Sequence, residues 1–350
     1  MNQTIKCDKI KNPQERRIRR IAVKIIMKKF AVAERMFVFG ENKYFKSCHA
    51  STVACLPGAG ICVAAFGGTA EGRDDVGIFV SMKGEAGFLP PIKIKISDEA
   101  HWNPVLSVLG GKFILWFKTG KTIPGWVTYI TESADGVNWA KPQPLVPGDI
   151  SGGRGPVKNP PLLTDGTLIA PRSVETHTAW TTELDVSFDE GKSWHVTKPL
   201  DYKYDEVLGE AFRTKKRNGI IQPSLWRDSR GVHALMRSTW GAVYRSDSEN
   251  GINWSPAYRT DIPNNNSGIC CAVNSENILA LCCNPVSSSE RTPLKLLFSY
   301  DGGDSFNNGI TLEDGEGEYS YPTVIADGND FLLSYTHKRR DIVFCRISAV

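Results

Sequence analysis

Hydrophobic residues along this chain cluster in short runs, and polar, glycine-rich or proline-containing stretches separate the runs. Six such runs are ICVAAF, KFILWF, TLIAP, VHALMR, ILALCC and FLLSY. They are too short for ordinary helices, and they are rich in β-branched and aromatic residues. The pattern therefore predicts an all-β chain.

A second repeated feature is a turn that opens with serine and closes with tryptophan or phenylalanine. Its copies are SFDEGKSW, ESADGVNW, SENGINW, SYDGGDSF and a worn SMKGEAGF. Their serines, at positions 81, 133, 187, 248 and 299, lie 51 to 61 residues apart. Asp and Gly suit tight turns, and the closing aromatic can fold back as an apolar plug. A period near fifty residues is typical of four-stranded propeller blades.

Each repeat interval also contains a short polar-to-apolar segment, often with proline, that precedes an apolar run. These strand-start motifs are HASTV from His49, NPVLSV from Asn103, NPPLL from Asn159, QPSLW from Gln222, NSGICC from Asn266 and YPTVI from Tyr321. Six motifs predict six blades. The last one has too little chain after it for a full blade, so a strand near Met36–Phe39 is expected to close the ring and cover two sheet edges.

Charge divides the chain unequally. Residues 1–35 carry 11 Lys and Arg against three Asp and Glu, although the whole chain is only +4. We therefore predict a basic extension over 1–35, disordered or helical, and a propeller domain over 36–350. The extension fits either a solvated tail or an amphipathic helix at an anionic surface.

Several function classes find no support in the sequence. Apolar runs do not reach transmembrane length, and lysines interrupt the best candidate for a signal core, so no stable membrane insertion is expected. The nine cysteines lack zinc-type spacing and are interpreted as reduced thiols of a cytoplasmic protein. Neither a phosphate-binding loop nor a dinucleotide motif occurs, so we expect no cofactor and no metal. Nucleic-acid binding would rest on the basic extension alone and is not expected.

The serine–aspartate–glycine–tryptophan turns resemble the Asp-boxes of the sialidase (neuraminidase) superfamily, also called BNR repeats. The resemblance covers roughly residues 45–350 and implies a six-bladed β-propeller of sialidase type. Family sialidases hold the substrate carboxylate with three arginines, use an aspartic acid as acid/base, and use a tyrosine nucleophile activated by a glutamate.

The resemblance assigns these roles to individual positions of this sequence. Tyr319, in GEYSYP, corresponds to the nucleophile, Arg291 to the third arginine and Arg237 to the second. Asp74 or Asp75, in GTAEGRDDVGIFVS, stands where the catalytic aspartate is expected.

Two positions depart from the family pattern. His49 stands where the first arginine is expected, and Gln222 stands where the activating glutamate is expected. A neutral amide cannot accept the tyrosine proton as a carboxylate does.

Side-chain chemistry widens the set of candidates. Arg237 and Arg291 can form a carboxylate clamp or can pair with acidic neighbours between blades. His49 can transfer protons near neutral pH. Tyr319 and Tyr321 both lie at the start of the last predicted blade, and we expect only one of them to face the central funnel. The remaining candidates for contacting a hydroxyl-rich ligand are Glu71, Asn103, Asn159, Arg172, Trp180, Gln222 and Asn266.

The leading prediction is an exo-glycosidase that hydrolyses a terminal acidic sugar. A polysaccharide lyase acting on a uronate is the first alternative, because β-elimination needs arginines, a base and an acid but no glutamate at position 222. A non-catalytic glycan-binding propeller is the second alternative. The expected partner in each case is an acidic sugar or oligosaccharide.

Overall fold

The computed structural model describes residues 28–202 and 218–350. Within these residues the chain forms 24 β-strands and one short 3-10 helix, Ile123–Gly125. The prediction of an all-β fold is confirmed. Over the same residues, no helix has the length and apolar character needed to span a membrane.

The strands follow one another as antiparallel meanders, preceded by one N-terminal strand. In chain order they are β1 Phe30–Phe37; β2 Ser47–Leu56, β3 Gly60–Gly68, β4 Gly77–Met82, β5 Ile92–Ile94; β6 His101–Leu109, β7 Lys112–Thr119, β8 Val127–Ser133, β9 Gln143–Pro144; β10 Leu162–Thr164, β11 Thr167–Glu175, β12 Ala179–Ser187, β13 His195–Val196; β14 Asn218–Asp228, β15 Gly231–Ser238, β16 Ala242–Ser248, β17 Tyr258–Pro263; β18 Cys270–Val273, β19 Leu279–Cys283, β20 Leu294–Ser299, β21 Ile310–Glu313; β22 Tyr319–Asp327, β23 Asp330–His337 and β24 Asp341–Ala349.

Hydrogen bonding groups these strands into four separate four-stranded sheets and one eight-stranded sheet. The eight-stranded sheet joins the meander β10–β13 to the meander β14–β17. A short parallel ladder makes this junction, in which Ala179 pairs with Asn218 and Trp180 pairs with Gly219. The prediction of six separate blades is therefore wrong in its count. Four blades stand alone, and two meanders are merged because their neighbouring strands hydrogen bond directly.

Strand β1 closes the ring by pairing with β24, in a register that runs from Phe30 opposite Ala349 to Phe37 opposite Val343. The predicted closure by an N-terminal strand is confirmed. The strand starts at Phe30 rather than near Met36, so the last part of the predicted extension belongs to the sheet. Residues 1–27 of that extension lie outside the described residues.

The repeated turns are hydrogen-bonded locally. In SFDEGKSW, Ser187 Oγ accepts a hydrogen bond from the Gly191 amide at 2.7 Å, and Asp189 Oδ1 accepts one from the Ser193 amide at 2.9 Å. Gly191 has a φ of +89°, which favours glycine. Trp194 is buried against Leu168 and Ala170. These contacts are structural, as expected for a turn that fixes one hairpin of a sheet.

The first strands of the meanders meet at the centre of the molecule. Strand β2 contacts β6 and β22, β14 contacts β11 and β18, and β18 contacts β22. Hydrophobic side chains fill the space between neighbouring sheets, for example between β18–β20 and β22–β24. The starting ends of these strands carry the strand-start motifs, and we call the region where they come together the funnel.

Candidate functional site

Each strand-start motif contains a non-glycine residue in a left-handed backbone conformation or, for the motif that begins at Asn159, directly follows one. The φ angles are +54° at Ala50, +40° at Asn103, +73° at Lys158, +56° at Gln222, +66° at Asn266 and +52° at Tyr321. Strand registers shift at four of these places, between His49 and Thr52, Trp102 and Val105, Ile221 and Ser224, and Ser320 and Thr323. Such conformations cost free energy and cluster at functional sites. The recurrence marks the funnel as the candidate site.

Tyr321 lies among several of the predicted site residues. Its ring centroid lies 4.2 Å from that of His49. Its hydroxyl oxygen accepts a hydrogen bond from Arg237 Nη1 at 2.7 Å. The Cζ atoms of Arg237 and Arg291 each lie 5.6 Å from the centre of the Tyr321 ring. The structure therefore brings Tyr321, His49, Arg237 and Arg291 together.

Tyr319 takes a different direction from Tyr321. Residues two apart share a face in a regular strand, but Tyr321 has a φ of +52° and the register of β22 shifts between Ser320 and Thr323, which separates the two side chains. Its ring is buried in the core between sheets and packs against His337. Its hydroxyl donates to the Glu316 carbonyl at 3.2 Å. Tyr319, the position that the family resemblance assigned to the nucleophile, is thus not brought to the funnel, and Tyr321 lies there.

His49 is 2% exposed, and its Nδ1 has no hydrogen-bond partner among the described residues. Burial lowers its pKa well below 6.5, and the positive charges of Arg339, Arg291, Arg237 and Lys158 lower it further. The imidazole is therefore neutral near pH 7. A neutral imidazole can accept a proton, whereas an imidazolium cannot.

Arg339 is a functional residue that the sequence did not reveal. It lies in the turn between β23 and β24, and its backbone carbonyl accepts a hydrogen bond from the Cys48 amide next to His49. The sequence signal, a pair of arginines in THKRRD, has no spacing that singles out either one. Its position beside His49 supplies a guanidinium near the place where the family's first arginine is missing.

Glu318 binds two of the three arginines and was also missed. One of its oxygens accepts a hydrogen bond from Arg291 Nη1 at 2.5 Å, and the other accepts one from Arg339 Nε at 2.9 Å. Burial opposes its ionisation, but these guanidinium groups hold the pKa of Glu318 below its usual range. Arg339 also donates to Glu71 at 2.5 Å. Arg291 and Arg339 are therefore already paired with carboxylates.

Arg237 differs from the other two arginines. It is 6% exposed, its Cζ lies 4.8 Å from the centre of the Trp180 ring, and its Nε is buried without a hydrogen-bond partner among the described residues. No carboxylate among those residues forms an ion pair with it. A buried guanidinium held between two aromatic rings is prepared to bind an anion.

The predicted amide ring is partly in place. Gln222 Oε1 and Asn266 Oδ1 are buried without a hydrogen-bond partner among the described residues, and Asn103 occupies the equivalent left-handed position. Asn159 is used differently, because its amide nitrogen donates to the Gln222 and Pro223 carbonyls. It supports the backbone behind the funnel.

Arg172 and the two aspartates have partners of their own. Arg172 pairs with Glu183 and donates to the carbonyls of Ser151 and Gly153, so it fixes a loop. Asp75 accepts two hydrogen bonds from Thr69, both at 2.8 Å, within the exposed 69–75 loop.

Asp74 lies in the same loop, and its carbonyl accepts a hydrogen bond from Lys95. Among the described residues, this loop contacts the arginines of the site through one ion pair, between Glu71 and Arg339.

The arrangement combines an available guanidinium, a phenol, a neutral imidazole and unpaired amides. Such groups can bind a carboxylate, transfer a proton and hydrogen bond to hydroxyl groups. Among the described residues, no group of three or more His, Cys, Asp or Glu is placed to hold a metal ion.

Similarity to solved structures agrees with the observed fold. A protein of unknown function from Dyadobacter fermentans DSM 18053 is 15% identical with a TM-score of 0.72, over 92% of this chain and 99% of that chain. The Hadza microbial sialidase Hz136 is 15% identical with a TM-score of 0.66, over 87% of this chain and 66% of that chain. Trypanosoma rangeli sialidase in complex with the inhibitor DANA is 12% identical with a TM-score of 0.64, over 90% and 60%.

This chain thus spans 60–66% of the length of those two sialidases. At such identities, the likeness shows the fold alone. No curated protein sequence matches the chain. Residues 60–333 match the model of the BNR repeat-like domain family. That match covers most of the 350 residues, and it agrees with the Asp-box turns and the sialidase-type propeller. The chain belongs to the BNR repeat-like domain family.

Proposed function

We propose that this protein binds an acidic sugar in the funnel and cleaves its glycosidic bond. The observation that carries the proposal is Arg237, a buried guanidinium without a carboxylate partner among the described residues. A buried charge of this kind is stabilised when an anion completes its hydrogen bonds. A sugar carboxylate supplies such an anion, and the unpaired amides of Gln222 and Asn266 suit sugar hydroxyls.

Arg291 and Arg339 have a second role in this proposal. Both already bind Glu318, so they contribute less free positive charge than Arg237 does. They fix one face of the site and complete the cationic wall around Tyr321. The substrate carboxylate contacts Arg237 first and reaches Arg291 as the second member of the clamp.

The leading reaction is hydrolysis of a terminal acidic sugar, as the similarity to sialidases suggests. Tyr321 then attacks the anomeric carbon while the bond to the leaving oxygen breaks and the phenolic proton passes to His49, or Tyr321 stabilises the positive charge that develops as that bond breaks. In either case water adds to the anomeric carbon and completes the hydrolysis. Arg237 supports this role because its hydrogen bond to the Tyr321 hydroxyl oxygen fixes the position of the phenol.

Of the two predicted proton donors to the leaving oxygen, Asp74 remains the proposed one. Burial opposes the ionisation of Asp75, but hydrogen bonds from Thr69 outweigh it and lower the Asp75 pKa, which favours the carboxylate.

A second reaction, β-elimination from a uronate, has its own supporting observation. The neutral ring of His49 lies against Tyr321, while Gln222 occupies the place where hydrolysis by tyrosine requires a carboxylate base. In elimination, His49 removes the proton from the carbon next to the carboxylate. The released electron pair forms a carbon–carbon double bond, the bond to the leaving oxygen breaks, and Tyr321 gives that oxygen its proton.

Product analysis on a panel of acidic oligosaccharides tests the proposal and separates the two reactions. Hydrolysis adds one water to the products, whereas elimination adds none and creates an unsaturated acid that absorbs ultraviolet light. Arg237→Met should abolish either reaction. Tight binding without turnover on every substrate would support the glycan-binding alternative. The absence of both binding and turnover would refute the proposal.

A further inference from the structure

A buried lysine connects three of the meanders directly behind the funnel. Lys158 is 2% exposed and lies just before β10. Its Nζ donates to the Asn159 side-chain oxygen at 2.9 Å, to the Ile269 carbonyl at 3.1 Å and to the Pro322 carbonyl. Ile269 precedes β18 and Pro322 lies in β22. Lys158 therefore uses its three donors within the protein interior.

Its neighbour Asn159 extends the connection to a fourth meander. The side chain is fully buried, and its Nδ2 donates to the Gln222 and Pro223 carbonyls, both at 3.1 Å, in β14. Lys158 and Asn159 together hold backbone carbonyls of β14 and β22 and of the segment before β18.

These carbonyls belong to the places where the backbone is left-handed. Pro322 directly follows Tyr321, whose φ is +52°, and the Gln222 carbonyl belongs to a residue whose φ is +56°. A left-handed conformation at a non-glycine residue costs free energy and persists only where surrounding contacts fix it. Hydrogen bonds from Lys158 and Asn159 are contacts of this kind.

The lysine stem also touches the site itself. A Cβ atom added at Gly268 would lie 3.1 Å from Lys158 Cε and 3.3 Å from Tyr321 Cγ. The stem of Lys158 and the ring of Tyr321 therefore both lie close to Gly268. A change at position 158 acts on Tyr321 both through the Pro322 carbonyl and through this packing.

We propose that Lys158 and Asn159 are positioning residues, which hold Tyr321 and Gln222 in the left-handed conformations that turn their side chains toward the funnel. Their effect on catalysis rests on the proposed function, whereas the effect on geometry does not. Burial lowers the pKa of Lys158 from 10.5 to about 8, so the ammonium group stays mostly protonated at neutral pH.

Crystal structures of two variants test the proposal. In Lys158→Met, the Pro322 carbonyl loses its donor, so Tyr321 should leave its left-handed φ and lose the hydrogen bond from Arg237. In Asn159→Ala, Gln222 should move while Tyr321 keeps its place, because Lys158 still holds the Pro322 carbonyl. This separation between the two variants is specific to positioning, since general destabilisation would not move one residue and spare the other.

Lys118→Met is the matched control. Lys118 is also fully buried, and its Nζ donates to Thr128 Oγ1 at 2.6 Å and to the Arg154 carbonyl at 2.8 Å in a different sheet. This variant should melt at a lower temperature than the wild type, but neither Tyr321 nor Gln222 should move.

NMR of the histidine rings adds a readout that needs no substrate. The Lys158 charge helps to keep His49 neutral, so the His49 pKa should rise in Lys158→Met and stay unchanged in Lys118→Met. Unchanged backbone angles at 222 and 321 in both test variants would overturn the proposal. If Lys158→Met does not fold, the Asn159→Ala structure is sufficient: an unchanged Gln222 conformation in that variant would overturn the proposal. Failure to find any substrate would refute the proposed function and leave these structural tests intact.

Discussion

The ring of His49 lies 4.2 Å from the ring of Tyr321, with the two planes tilted by 49°. His49 belongs to β2 and Tyr321 to β22, so this contact joins the first full meander to the last one. The candidate site therefore lies where the ring of sheets closes. Its residues come from both the first and the last meander of the chain.

Replacing Tyr321 by phenylalanine should lower turnover strongly. The variant loses the hydroxyl that accepts the Arg237 hydrogen bond, and loss of a proton-transfer or nucleophilic group costs about 10²–10⁴-fold in rate. The measurement is kcat/KM on the best acidic glycoside found. Tyr319→Phe is the matched control, since it removes only a hydrogen bond to the Glu316 carbonyl. A greater loss of kcat/KM in Tyr319→Phe than in Tyr321→Phe would indicate that Tyr319 is the catalytic tyrosine.

Arg237→Met should weaken binding of the acidic sugar by about 1.5–3 kcal/mol, the typical value of a hydrogen bond to a charged group. Calorimetry with the natural ligand and with its carboxylate reduced to an alcohol gives the coupling energy. Arg245→Met is a fair control. Arg245 is also buried and lies 5.4 Å from the centre of the Trp226 ring, but it pairs with Asp247 and Asp304. Equal losses for both ligands in Arg237→Met would mean that this arginine does not bind the carboxylate.

His49 should remain neutral at about pH 6, where an unperturbed histidine is mostly charged. The groups that face it are Arg237, Arg291, Arg339 and Lys158, opposed by Glu318 with a carboxylate oxygen 3.9 Å from its Nδ1. NMR titration, with His49→Gln for assignment, gives the pKa directly.

The pKa of His49 also sets a slope in stability. Because the folded pKa is lowered, the unfolded chain binds the proton more readily, so the free energy of unfolding falls as pH falls below about 6.5. His49→Gln should remove this part of the slope. A His49 pKa at or above its ordinary value would contradict the proposed role as a neutral base.

Acid should destabilise the fold through His233, whose two ring nitrogens lie 2.6 Å from Asp247 Oδ1 and 2.9 Å from Asp228 Oδ1. Burial opposes ionisation of both carboxyl groups, but hydrogen bonds from His233 and from neighbouring arginines lower each pKa to about 2. Their stabilising contribution is complete above the unfolded pKa of about 3.9 and is lost as pH falls through about 2.

Urea denaturation at a series of pH values measures this loss. Asp247→Asn should lower stability at neutral pH and reduce the acid dependence between about pH 4 and pH 2. Asp165→Asn removes a carboxylate that is exposed beside Arg227, and it should change stability much less than Asp247→Asn does. Identical acid dependence in Asp247→Asn and the wild type would show that the His233 network is not responsible.

Trp194→Ala should cost about 3–5 kcal/mol of stability, because it removes a large buried aromatic side chain from a core cluster. Ligand preference should stay the same in the folded fraction. Denaturation and calorimetry on the same preparation check both statements, and altered specificity at normal stability would show that the turn contributes to the site.

Periodicity and turn chemistry predicted the fold well, because a serine, an aspartate and a glycine at fixed spacing define each hairpin locally. The count of separate blades was wrong because the pairing of Trp180 with Gly219 depends on how two distant segments approach each other. Such a contact leaves no local pattern in the sequence.

The candidate site was predicted in part. Tyr319 and Tyr321 are two residues apart and would share a face in a regular strand, but the left-handed backbone of Tyr321 and the register shift in β22 separate them. Sequence alone did not show this irregularity, so it could not say which tyrosine faces the funnel. Arg339 and Glu318 were missed because their roles arise from the turn between β23 and β24 meeting β2, a long-range contact. Lys158 was missed because a lysine before a strand ordinarily lies at the surface.

Pairing of β1 with β24 has a consequence for the order in which the molecule is made. Among the strands of the described residues, β1 leaves the ribosome first during synthesis and its partner β24 leaves last. The sheet that they complete carries Tyr321 and Arg339, so a partly synthesised chain has no complete funnel. In such a chain β1 is an unpaired strand. Until β24 pairs with it, β1 is open to pairing with a strand of another chain.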